Sequence, residues 1–101
     1  MPTRPEEWPE YRMELRPEVD KFSQAMEEKL RENDYRGGWQ HCDIDYLFMR
    51  MAEERQELRR AVRGKDPVKV LREAADIANF ALMIADNFTR EGQYESSRNN
   101  I

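Results

Sequence analysis

Sulfur and imidazole chemistry are nearly missing from this chain: of 101 residues, one is cysteine (Cys42) and one is histidine (His41). A lone cysteine excludes an intrachain disulfide, so a reducing compartment is expected. His41-Cys42-Asp43 falls short of the four ligands that a structural zinc site requires. No Glu-x-x-His pair is present, which argues against a di-iron carboxylate bundle. No apolar run approaches the roughly 20 residues that cross a bilayer. The first residues, MPTRPEEWPEYRMELRP, lack the continuous apolar stretch of a signal peptide. A cytoplasmic protein with no membrane partner is therefore expected. Positive charge is also short. The formal net charge of -4 argues against a chain that coats nucleic acid, which normally carries a basic stripe. A nucleotide ligand is still allowed, because a bound cation inverts the local field.

Strand-like alternation and internal repeats are absent as well, and what remains is helical periodicity. Prolines at 2, 5, 9 and 17 keep residues 1–17 out of a continuous helix. This stretch reads as an arm whose Trp8, Tyr11, Met13 and Leu15 can lie over a core. Val19, Phe22, Met26 and Leu30 then recur at spacings of three and four, which predicts a first helix over about 18–34. Tyr35-Arg36-Gly37-Gly38-Trp39 breaks it. A second helix over 44–63, opening at Asp43 or Asp45, carries the stripe Ile44, Leu47, Phe48, Met51, Leu58 and Val62 and stops at Gly64. Asp66-Pro67 is a helix start, an N-cap acceptor followed by proline at the first helical position. The third helix is expected over 67–88, with a polar, frayed tail over 91–101. The class is all-α: one small bundle over 18–90.

The acids raise the functional question. Glu53, Glu54 and Glu57 share the second helix, and Glu73 and Asp76 open the third just before the apolar run from Ile77 to Ala85. At about 100° per residue, Glu54 lies roughly 60° from the stripe centre and Glu57 roughly 60° further round. Glu53 points almost opposite the stripe. Glu73 and Asp76 share a face with Phe80 and Met83 one turn on. Packing the two faces together would crowd four carboxylates into one small volume. Such a group stays ionised only if a cation joins it, and oxygen ligands select Mg²⁺ or Mn²⁺. The alternative is a solvated acidic face, with Glu54 and Glu57 paired to nearby arginines, on a non-enzymatic helical module that binds a partner.

Glu53-Glu54-Arg55-Gln56-Glu57 fits EExxE and Glu73-Ala74-Ala75-Asp76 fits ExxD, with fifteen residues between them. The pair resembles the signature of the MazG-like all-α nucleoside triphosphate pyrophosphohydrolases, over residues 22–87 or so. The resemblance implies a Mg²⁺-dependent enzyme that cleaves an NTP or dNTP to the monophosphate and pyrophosphate. It implies a homo-oligomer, a dimer or a dimer of dimers, that completes the bundle. It also implies metal ligation by Glu54, Glu57, Glu73 and Asp76, with Glu53 in a catalytic role, activating water or standing as an outer ligand.

Four further residues are candidates for substrate contact, each with a second reading. Lys29 and Asn33 lie on the inward side of the first helix, where they can meet phosphate and nucleotide. Lys29 can equally run along the helix with its head in water. Trp39, beside the glycine pair, can stack on a base or cap the core. Asn79, one turn beyond Asp76, can bond the nucleotide or serve as a structural amide. The apolar Ile77–Ala85 stretch is bare on too many sides for two neighbouring helices to cover, so a second subunit or the N-terminal arm should cover the rest.

Overall fold

The computed structural model describes residues 13–99. Three helices make the fold: α1 (Pro17–Glu32), α2 (Ile44–Arg63) and α3 (Pro67–Asn99), with a short 3₁₀ turn at Asp34–Arg36 after α1. There is no strand among the described residues. None of these helices is long and apolar enough to cross a membrane. The helix α3 is the spine. The other two pack against it, α2 more extensively, and not against each other.

Local chemistry accounts for the boundaries. Pro17 sits in the first turn of α1, where its missing N–H costs nothing. This helix stops two residues before the expected Asp34, because Asn33 turns its side chain back onto the Lys29 carbonyl at 3.1 Å and caps the end. Gly37, at φ 85°, then makes the turn that a side chain would resist. Asp43 occupies the extended N-cap position of α2. At the far end the left-handed residue is Lys65, at φ 56°, and not Gly64. Lys65 N–H donates to the Val62 carbonyl and Asp66 N–H to that of Ala61, the paired bonds of a Schellman cap. Asp66 opens α3 by accepting from the Lys69 N–H at 3.1 Å.

Two expectations need correction. The third helix continues past Phe88 to Asn99, since no proline follows Pro67 and Gly92 alone interrupts a run of helix-compatible residues. Met13 and Leu15 of the arm are 84% and 52% exposed and do not lie over a core; Trp8 and Tyr11 fall outside the described residues.

The centre of α2 is also rotated from the expected stripe. Leu47 and Ala61 are buried, whereas Phe48 and Val62 are half exposed. At 100° per residue this turns the buried centre about 60° toward the acids, onto the direction of Glu54. Small side chains accompany the shift: Ala61 on α2 and Ala75 on α3 are both buried where the two helices pack against each other. The rotation carries Glu54 inward.

Candidate metal centre

Glu54 leaves α2 on its inward face, and Glu73 and Asp76, three residues apart, leave the first turns of α3 toward it. One carboxylate oxygen from each of the three lies within 4.8 Å of the others. The Glu54 and Asp76 side chains are each only 17% exposed. Three acids in so small a volume repel one another, and their surroundings show it. Burial, then the neighbouring Glu54 and Asp76 carboxylates, push Glu73 up to about 7. Its Oε2 is buried without a hydrogen-bond partner. Asp76 is raised as well, by burial above all, with Lys29 opposing the shift.

Two cations border the trio. Lys29 arrives from α1, 15% exposed, with its ammonium 3.4 Å from Asp76 and 3.5 Å from Glu32. It does not run out into water; its head group points at the acids. Arg50, one turn before Glu54 on α2, reaches Glu54 at 3.4 Å and Glu53 at 3.0 Å. The guanidinium also stands over the Phe80 ring at 5.3 Å, which fixes it by a cation–π contact. The sequence reading passed over Arg50. Its position four residues before Glu54, the favoured spacing for an ion pair on one helix face, was the available signal.

The remaining candidates sit elsewhere. Glu57 is not among the three clustered acids; it pairs with Arg60 on the flank of α2. Glu53 is 59% exposed beside Arg50. Asn33 is spent on the end of α1. Asn79 is buried and donates to the Met26 carbonyl at 3.0 Å, tying α3 to α1. The Trp39 indole N–H donates to Asp86 at 2.9 Å and, with help from Arg90, holds that carboxyl below its ordinary range. Asn87, fully buried, donates to the carbonyls of Trp39 and Cys42 and so pins the α1–α2 connection to α3. Asp86 and Asn87 were not singled out in sequence. An amide following the apolar run Ile77–Ala85 was the only hint.

Chemically the trio suits a hard divalent ion. It offers oxygen donors alone from two rigid helices, a buried oxygen with no other partner, and a carboxyl pushed up to about 7 whose proton a cation would displace. No family model, curated protein or solved structure matches the chain.

Proposed function

We propose that the protein is a Mg²⁺-dependent nucleoside triphosphate pyrophosphohydrolase that converts an NTP or dNTP to the monophosphate and pyrophosphate. The observation that carries this reading is the convergence of Glu54, Glu73 and Asp76 within 4.8 Å, from the two segments that bear EExxE and ExxD. Those three residues would hold the ion, and Mn²⁺ can take the same oxygen donors. When bound, a divalent ion neutralises phosphate charge and lowers the pKa of water for attack.

The chain's own groups supply the rest. Lys29, released from Asp76 once the acids have another counter-charge, offers three N–H donors to a phosphate oxygen. Glu53, outside the crowded trio and open to solvent, is assigned the proton acceptor for the attacking water. Glu57, one turn beyond Glu54, acts from the rim. Asn33 and Asn79 are already committed to backbone carbonyls and serve to fix α1, which carries Lys29. The Trp39 ring, anchored through its indole nitrogen to Asp86, is assigned to the base. Attack at the α-phosphorus breaks its bond to the α–β bridging oxygen and releases pyrophosphate intact.

A screen of NTPs and dNTPs with Mg²⁺, reading monophosphate, pyrophosphate and orthophosphate separately, tests the reading. The expected products are monophosphate and pyrophosphate. Orthophosphate as the first product, or no turnover of any nucleotide, overturns it. The second reading, a partner-binding module with an acidic face, draws support from the surface pairs Glu57–Arg60 and Glu53–Arg50. That module would show no turnover.

A further inference from the structure

The two cations that border the trio differ in how far their surroundings satisfy them. Lys29 already has a place in the reaction; Arg50 has none. A guanidinium carries five N–H donors. That of Arg50 makes two hydrogen bonds among the described residues, both long: 3.5 Å to the Tyr46 hydroxyl and 3.4 Å to Glu54. Charge-assisted bonds of this kind usually close to about 2.7–2.9 Å. The Arg50 Nε stands 3.0 Å from a Glu53 oxygen but out of line with it, and so is buried without a hydrogen-bond partner. Three of the five donors are left over among the described residues, on a side chain that is still 29% exposed.

This is not the geometry of an arginine that only neutralises Glu54. Such an arginine closes on its carboxylate as a two-pronged fork, whereas Arg50 offers Glu54 one nitrogen at 3.4 Å. What fixes the guanidinium is a ring. Its carbon lies 5.3 Å from the centre of Phe80, one turn beyond Asp76 on α3, and a cation–π contact consumes no donor. Arg50 is thereby tied from α2 to the helix that bears two of the three acids, with its N–H groups still free to act.

We infer that Arg50 is a phosphate ligand of this site and holds the reacting α-phosphate of the substrate. The identity of that phosphate rests on the hydrolase reading; the presence of a phosphate ligand does not. A planar guanidinium matches the oxygens of a phosphate, and contact with both Glu53 and Glu54 decides which phosphate it meets. Glu54 belongs to the set that would hold the ion, and Glu53 must reach the attacking water. A side chain touching both stands beside the phosphorus under attack. Lys29 approaches from α1, next to Asp76, and α1 and α2 do not touch each other. Cations therefore flank the acids from two separate helices, and the phosphates of the leaving pyrophosphate fall to Lys29. An arginine beside the α-phosphorus also meets the charge carried by its oxygens in the transition state.

The test uses the full chain with Mg²⁺. Calorimetric titration with inorganic tripolyphosphate, which has neither base nor sugar, reads phosphate binding without nucleotide turnover. Arg50→Gln should weaken that binding by roughly 10–100-fold, the range for a lost hydrogen bond to a charged group. Arg50→Lys keeps the charge without the fork and should recover part of the loss. Arg55→Gln removes the same charge from an exposed position on α2 and should leave tripolyphosphate affinity unchanged. An arginine that only neutralises Glu54 would alter Mg²⁺ affinity alone. Unchanged tripolyphosphate affinity in Arg50→Gln, an equal loss in Arg55→Gln, or a parent that binds none overturns the inference. With the best nucleotide of the screen, Arg50→Gln should lower kcat as well as raise KM; a rise in KM alone overturns the α-phosphate assignment. A parent that binds tripolyphosphate through Arg50 yet turns over no nucleotide removes the hydrolase reading and leaves the phosphate ligand standing. Turnover by a parent whose Arg50→Gln variant binds equally well does the reverse. Should Arg50→Gln fail to fold, Arg50→Lys decides.

Discussion

Within one five-residue stretch of α2, Glu54 and its neighbours Glu53 and Glu57 meet opposite fates. Glu54 is carried inward to within 4.8 Å of Glu73 and Asp76, while Glu53 lies 59% exposed beside Arg50 and Glu57 pairs with Arg60. The residue type is identical and the spacing is at most one turn. The difference comes from the direction of the buried centre of α2, which Leu47 and Ala61 set. Carboxylates near that direction lose water and gain like-charged neighbours; those further round keep water and find arginines. A run of glutamates therefore says little until the packing of the helix is known, and the comparison can be broken from either side.

The largest effect is expected inside the trio. Glu73→Gln or Asp76→Asn removes a charged oxygen donor from a set of three, so Mg²⁺ affinity should fall by more than the roughly 10–100-fold typical of outer partners, and nucleotide hydrolysis should fall with it. Metal-free stability should not fall for Glu73→Gln, because the neutral amide needs no counter-charge in a crowded acidic space. Calorimetric titration with Mg²⁺ and thermal unfolding without it read the two halves. Unchanged affinity in both variants would remove the trio from the metal site.

A smaller effect should appear in the parent protein without metal. Glu73 is pushed from its ordinary value of 4.5 up to about 7, and Asp76 shifts in the same direction. Between those limits the folded chain binds more protons than the unfolded chain, so stability falls as pH rises. The favourable contribution is complete below about pH 4.5 and lost above about 7. Asp86 and Glu32, both held low by hydrogen bonds and ion pairs, work in the opposite sense but only at more acid pH. Unfolding temperature should thus drop by a few degrees from pH 5.5 to 8, since about 1 kcal/mol shifts a domain of this size by roughly 4–8 °C. Mg²⁺ at pH 8 should reverse the drop, and Glu73→Gln should flatten it. A parent whose unfolding temperature rises across that interval would contradict the assignment.

The helices were legible because their signals are local. Pro17, Asp43 and Asp66-Pro67 start them, and the Gly64 region ends α2, each through bonds within a few residues. The rotation of α2 was not legible. Phe48 and Val62 look like core by hydrophobicity, yet the small Ala61 is buried while they stay half exposed, and which side of α2 meets α3 leaves no trace in one helix's pattern. Glu57 is a separate case: the rotation brings it nearer the buried centre, yet it still lies about 60° beyond Glu54 and pairs with Arg60. Buried amides were the other blind spot. Asn79 and Asn87 find backbone carbonyls 53 and 45–48 residues away, and only the tertiary fold shows where those acceptors lie.

The smallest effect is expected on the flank of α2, where Glu57→Gln and Glu53→Gln sharpen the comparison. Each carboxylate is more than a third exposed and pairs with an arginine on its own helix. Such pairs contribute roughly 0.2–1 kcal/mol, because water already screens them and both side chains lose freedom in meeting. Metal-free unfolding should therefore shift by less than about 1 kcal/mol and should keep the parent's dependence on pH, since Glu73 retains its burial and its neighbours. Mg²⁺ affinity should drop by less than in Glu73→Gln. Glu53→Gln should separate the two functions cleanly, with metal binding retained and hydrolysis impaired, if its carboxylate takes the proton from water. Equal loss of metal binding in Glu57→Gln and Glu73→Gln would mean that α2 rotates further when the ion binds and brings Glu57 into the trio, which would erase the distinction between the flank and the buried cluster.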